Sequence, residues 1–208
     1  MVEKQIKVPK KTKYLAEFIG IILGDGNIYI NKEKGVYQIK VTTHSITDRE
    51  YLIEFVKPLI ENLFGLKASI SFDKGRNGIN LRLASKKLIF YLRSIGLKSG
   101  DKINNRVVIP KWIIKNKNLT IACIRGLIDT DGTVFENKRG SKKVNIGFKN
   151  NNFKLLKQVR NQLKKLGFHP TKIHINAFFL CRRKEIELFI KRIGFHNNKH
   201  LKKCETRL

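Results

Sequence analysis

Phe18-Ile19-Gly20-Ile21-Ile22-Leu23-Gly24-Asp25-Gly26 recurs 106 residues later as Ile124-Arg125-Gly126-Leu127-Ile128-Asp129-Thr130-Asp131-Gly132. Each closes an apolar, helix-competent stretch, residues 12–24 and 118–130, that runs into acid-Gly. The first carries Gly20 and Gly24 four apart, and the second carries Gly126 and Thr130 at the same spacing. Small residues at i and i+4 share one helix face, and they let two backbones approach closely. Packed on that face, the two helices bring Asp25 and Asp131 out side by side at their C-terminal ends.

Electrostatically this is a poor place for carboxylates. Each sits at the negative end of a helix dipole, at a cost of roughly 0.3–1 kcal/mol, and the two repel each other. A cation resolves both problems. Carboxylates with backbone carbonyls form the donor set of a hard divalent ion such as Mg²⁺. Held beside a phosphate-binding surface, such an ion suits metal-assisted phosphodiester hydrolysis. A lone Asp-Gly reads as a turn after a core helix; its recurrence with small residues in register favours the paired site.

The duplication extends further. Residues 79–97 parallel residues 177–195, ending in Arg93-Ser94-Ile95-Gly96-Leu97 and Lys191-Arg192-Ile193-Gly194-Phe195, now at an offset of 98. Repeats of this length are too long for solenoid units. Val36 to His44 alternates as a strand should, and residues 48–64 are amphipathic at helical spacing up to Gly65. A second hairpin spans residues 67–84, and Ser85 caps a helix to Ile95 that Gly96 stops. The second copy repeats the plan with strands at 133–137, 144–149, 172–175 and 177–181 and helices at 153–166 and 184–193. The predicted fold is α+β, two tandem αββαββα repeats with pseudo-twofold symmetry and antiparallel sheets: residues 1–97, a linker at 98–118, and 119–208.

The chain has 208 residues, with 44 Lys plus Arg against 16 Asp plus Glu and a formal charge of +28. At 41% apolar residues it is no disordered basic tail. From Asn137 to Lys184 there is no acid, while fourteen residues are basic. Such a field attracts a polyanion, nucleic acid before a membrane surface. No apolar run approaches the ~18 residues of a membrane span. The basic start leading into residues 18–24 imitates a signal peptide, but Glu17 and Asp25 bracket the run and no cleavage site follows. The reading is an intracellular, cytoplasmic protein, prokaryotic or archaeal, with an organelle left open. Cys123, Cys181 and Cys204 are scattered and read as reduced thiols. His196, His200 and Cys204, four apart, read as chance rather than a soft-metal site.

The two stretches that open this section resemble the signature motifs of the LAGLIDADG homing endonucleases in their single-chain, two-motif form, and the likeness covers nearly the whole chain. It places the catalytic metal-binding carboxylates on Asp25 and Asp131, with the carbonyls of Gly24 and Thr130 completing the coordination. The family's earlier Asp falls on Leu23 in one copy and Asp129 in the other, a departure at a position that is not a metal ligand. The resemblance implies a monomer without an obligate protein partner, forming a saddle over double-stranded DNA. It implies Mg²⁺-dependent cleavage of both strands across the minor groove, leaving short 3′ overhangs, with Mn²⁺ as a substitute and Ca²⁺ supporting binding alone. His196-Asn197 matches an intein's last pair, yet eleven residues follow; without flanking splicing blocks, the expectation is a free-standing, intron-encoded enzyme.

Antiparallel ribbons fit the major groove. The outward candidates are Gln38, Lys40, Thr42, Lys67, Ser69, Ser71, Asn80 and Arg82 in copy one. In copy two they are Lys143, Asn145, Lys149, Lys172 and His174. The hairpin turns at residues 32–34 and 138–143 suit phosphate. A basic group beside the scissile phosphate stabilises developing charge, and His44 and Lys149 are the candidates. The rival readings are an intron-splicing maturase and a non-cleaving DNA-binding regulator on the same scaffold.

Overall fold

The computed structural model describes residues 5–136 and 144–205. Helix α1 (Lys13–Leu23) is capped by Thr12, whose hydroxyl accepts from the Leu15 N–H. Strands β1 (Gly26–Asn31) and β2 (Val36–His44) follow, then helix α2 (Lys57–Phe64), β3 (Ser69–Phe72), β4 (Gly78–Ala84) and α3 (Lys86–Ser94). The connection carries the short α4 (Lys111–Ile114). The second repeat comprises α5 (Lys117–Asp131), β5 (Gly132–Glu136), β6 (Val144–Lys149), α6 (Phe153–Lys165), β7 (Ala177–Leu180) and α7 (Arg183–Arg192). A final α8 (Asn198–Glu205) ends the described chain. Both sheets are antiparallel, ordered β1-β2-β4-β3 and β5-β6-β7. The fold is α+β, as the sequence implies.

Three local features depart from the sequence pattern. The helix preceding α2 opens as a π-helical turn, Tyr51–Val56. Pro58 explains it: the ring has no N–H to give the preceding turn, and a widened register absorbs the missing bond. Residues 172–175 do not form a strand. Only His174 bridges back to Ala177, around a two-residue turn that holds the β-branched Ile175 at φ 54°. Thr171 then spends its hydroxyl on the Phe179 N–H, so the hairpin zips at its ends only. Third, α8 forms although its Lys-rich sequence lacks a broad apolar stripe.

Helices α1 and α5 meet at van der Waals backbone distance. A Cβ on Gly20 would overlap the carbonyl oxygen of Cys123, and one on Gly126 would overlap that of Glu17. Farther along, Gly24 faces the Thr130 side chain. Deep in the same interface, Arg125 grips fully buried Glu17 through two hydrogen bonds (2.8 and 2.7 Å). Burial alone would raise the Glu17 pKa, but Arg125 and His196 outweigh it and hold it below the usual carboxylate range.

Each repeat's exit segment crosses to the other repeat. After α3, the chain is held by Asn152 at the start of α6, whose Nδ2 donates to the carbonyls of Val107 (2.7 Å) and Lys102 (3.3 Å). After α7, Asn197 and Lys199 reach Asp48 in the first repeat (2.7 and 2.5 Å). Asn198 reaches Glu50, and the His196 ring reaches Glu17 (2.6 Å).

Candidate active site

The glycine seam delivers both acids to one place. Asp25 follows α1 and leads into β1; its own carbonyl accepts from the Thr42 N–H (3.2 Å). Asp131 is the last residue of α5. Its carboxyl carbon lies 3.6 Å from where a Gly24 Cβ would stand, and its Oδ2 accepts from Asn150 Nδ2 (2.6 Å). Burial first, then the charge of Asp131, raises the Asp25 pKa to about 7. Burial also raises that of Asp131, against the pull of Lys102 and Asn150. A cleft of about 340 Å³ opens here, lined by Gly24, Asp131, Lys102, Lys149 and Asn150 among others.

Lys102 was not singled out by the sequence, where it is one lysine among many in the connection. Its ammonium donates to the carbonyls of Gly24 and of Leu23, the latter at 3.1 Å. The turn that presents it is firm: Asp101 Oδ1 accepts from the N–H groups of Ile103 (2.7 Å) and Asn104 (3.1 Å). Burial lowers the Lys102 pKa while both aspartates pull it the other way. Two carboxylates and a helix-end carbonyl fit the oxygen donor set of a divalent cation, and the Lys102 ammonium is itself a cation drawn to those oxygens. The Gly24 carbonyl accepts from Lys102, and the Thr130 hydroxyl, as distinct from the carbonyl the motif implies, donates within α5 to Gly126 and Leu127 (2.9 and 3.1 Å).

Of the two basic candidates, Lys149 lines the cleft. His44 does not; it is exposed at the end of β2, where its Nδ1 accepts from Ile46 (3.4 Å) and Thr47 (3.3 Å). The other acid of the second motif, Asp129, is buried away from solvent and accepts the backbone N–H groups of His196 (3.0 Å) and Asn197 (3.3 Å). Its pKa is raised to about 7, mainly by burial.

On the first sheet, Gln38, Lys40 and Thr42 alternate with buried Ile39, Val41 and Thr43. Register sets Lys40 opposite Arg82 and Arg82 opposite Ser69, one cross-strand row of polar groups. Thr42, Asn80 and Ser71 form the next row. Asn80 is fully buried there, accepting from Thr42 Oγ1 (2.8 Å) and donating to Asp73 (2.7 Å), so it braces the row rather than facing out. Lys67 is exposed just before β3.

The second sheet differs. Asn145 is buried opposite Phe135, whose ring meets Phe179 edge-on at 5.7 Å. Lys172 and His174 are exposed on the incompletely zipped segment. Lys143 and the turn at residues 138–143 lie outside the described residues.

An uncharacterised protein of Methanocaldococcus jannaschii is 28% identical to this chain over 160 residues. The match covers 74% of this chain but only 54% of that protein, so the chain spans about half its length. The homing endonuclease I-DmoI of Desulfurococcus mucosus is 29% identical over 165 residues, 77% of this chain and 74% of that one. In structure, I-DmoI in complex with DNA and Mn matches with a TM-score of 0.60 at 24% identity, over 89% of this chain and 98% of that one. I-DmoI in complex with DNA and Ca gives 0.63 at 23% identity, over 95% and 99%. Full-length DUF199/WhiA from Thermatoga maritima gives 0.58 at 16% identity, over 97% and 63%. These likenesses place the fold. The family model for the LAGLIDADG-like domain matches twice, at residues 12–107 and 118–194, and the chain belongs to that family.

Proposed function

We propose that this protein is a sequence-specific double-strand DNA endonuclease of the homing type, using Mg²⁺ held between Asp25 and Asp131. The observation that carries the reading is the approach of both helix-terminal acids and Lys102 to one another, with Asp131, the Gly24 end of α1 and Lys102 lining one cleft. The divalent ion, when bound, supplies Lewis-acid activation of water and neutralises charge on the phosphate. The protein's own groups do the rest. Asp25 and Asp131 would hold the cation and, ionised, would orient water toward the phosphorus. Lys102 stands where an ammonium offsets the negative charge that develops on the phosphoryl oxygens. Lys149 adds a second cation on the cleft wall. Asn150 holds the Asp131 carboxylate in one orientation.

The sheets would supply the address. Lys40, Arg82 and Gln38 present donors suited to guanine and adenine edges, while the basic surface supplies affinity through phosphate contacts. The reading includes action as a single chain inside the cell, expression from an intron, and cleavage that leaves short 3′ overhangs. The relatives named for complexes with DNA and Mn or Ca support the nucleic-acid and divalent-ion parts of the proposal.

The test is incubation with DNA carrying the intronless host gene, in Mg²⁺ or in Ca²⁺. Discrete cuts in Mg²⁺ alone, lost in Asp25→Asn and in Asp131→Asn while DNA binding persists, are the expected result. Specific binding without cuts in any divalent ion would replace the proposal with a DNA-binding regulator.

A further inference from the structure

His196-Asn197 lies outside the cleft, yet it joins the two repeats directly behind the acids. Asn197 is 1% exposed. Its Nδ2 donates to Asp48 Oδ1 (2.7 Å) and to the carbonyl of Asp129 (3.1 Å), and its Oδ1 accepts from the Lys199 N–H (3.2 Å). Its backbone N–H and that of His196 bind the two oxygens of the Asp129 side chain. One amide thus touches the last turn of α5, two residues before Asp131, and a carboxylate of the first repeat. Asp48 lies near enough to Asp25 to help raise its pKa.

The bonds answer a definite need. The last carbonyls of a helix have no partner within it. At the end of α1, Lys102 takes the Leu23 and Gly24 carbonyls. At the end of α5, Asn197 takes the Asp129 carbonyl. Both acid-bearing helix ends are therefore capped by an exit segment, one from each repeat. The two caps differ in kind, since Lys102 reaches the cleft and Asn197 is sealed away from it.

We propose that Asn197 is a positioning residue that fixes the setting of Asp131 relative to Asp25, and hence the geometry offered to a divalent cation, without touching cation or DNA. The proposal rests on the metal reading of the acid pair given above. Side chains that orient metal ligands from behind change metal affinity by about 10–100-fold when removed. Asn197→Ala leaves Asp48 without its amide donor and frees the end of α5.

The experiment titrates Ca²⁺ into the full-length chain by calorimetry, for wild type and Asn197→Ala, with duplex DNA affinity measured separately in EDTA. Asn197→Ala is expected to bind Ca²⁺ about 10–100-fold more weakly, with DNA affinity in EDTA unchanged. In Mg²⁺, kcat falls while KM for DNA holds. Where Asn197→Ala does not fold, Asn197→Ser, which keeps one donor for two acceptors, carries the same measurement. Ca²⁺ affinity equal to wild type in either folded variant overturns the proposal. So does a parallel loss of thermal stability and DNA binding with metal affinity intact, the mark of a merely structural contact. A wild-type chain that binds no Ca²⁺ or Mn²⁺ overturns the metal reading itself, a distinct outcome.

Discussion

Lys102 donates its side-chain ammonium to the backbone carbonyl of Gly24, so a residue of the inter-repeat connection closes off the end of the first signature helix. The contact places a positive charge within electrostatic reach of two carboxylates that would otherwise destabilise each other.

Lys102→Met is therefore expected to cost about 10²-fold in kcat, the scale of losing one donor that stabilises developing charge. Lys149→Met, on the rim of the same cleft, should cost less. Single-turnover cleavage rates on one target, with binding held saturating, distinguish the two.

The helix seam makes a stability prediction. Gly20→Ala drives a methyl group into the Cys123 carbonyl, a backbone atom that cannot rotate away. Overpacking of this kind costs ~1–3 kcal/mol, with Gly126→Ala comparable, whereas Gly35→Ala, whose Cβ direction is open, costs only the backbone strain of its φ of 61°. Urea denaturation of the three variants gives the comparison; a seam indifferent to Gly20→Ala would mean the helices stand farther apart.

Sequence reading should divide from phosphate grip. Arg82→Ala is expected to relax base preference at one position, by ~1–3 kcal/mol of discrimination. Lys67→Ala should weaken all sequences alike and flatten the salt dependence by ~0.9 in log K per log salt. Selection from a randomised duplex pool, repeated at two salt concentrations, resolves both effects.

Stability should depend on pH in two opposed ways. Burial, with the charge of Lys199, pushes the pKa of His200 down from 6.5 to about 4. The unfolded chain therefore takes up its proton first, and stability falls as pH drops through that window. Asp25 runs the other way: its pKa rises from 3.8 to about 7, so the metal-free fold loses stability as pH climbs between those values. His200→Leu should raise the thermal midpoint more at about pH 5 than at pH 7.5. Added Ca²⁺ should raise it more at the higher pH. Differential scanning at both pH values, with and without Ca²⁺, checks both signs.

The helix pair and its acids were legible because close packing demands small residues at a fixed period, and Gly20, Gly24 and Gly126 write that demand openly. The first sheet was legible through alternation, from Gln38 to Thr43. What alternation cannot display is the partner of an outward side chain. Asn80 reads as a free reader of DNA and is instead tied down by Thr42 and Asp73. Lys102 carried no local signal at all, since its importance comes from a turn that returns 77 residues later to the Asp25 end of α1. The strand expected at residues 172–175 had the right pattern but the wrong corner, with Ile175 where a hairpin wants glycine or asparagine.

The crossing exit segments bear on how such a molecule can be recombined. A chimaera that grafts one half onto a relative's other half, cut midway along the connection, would carry a tail fitted to a surface it no longer meets. Residues 195–205 ought to travel with the front portion whose Glu17, Asp48 and Glu50 they engage, even though they follow the second repeat in the chain.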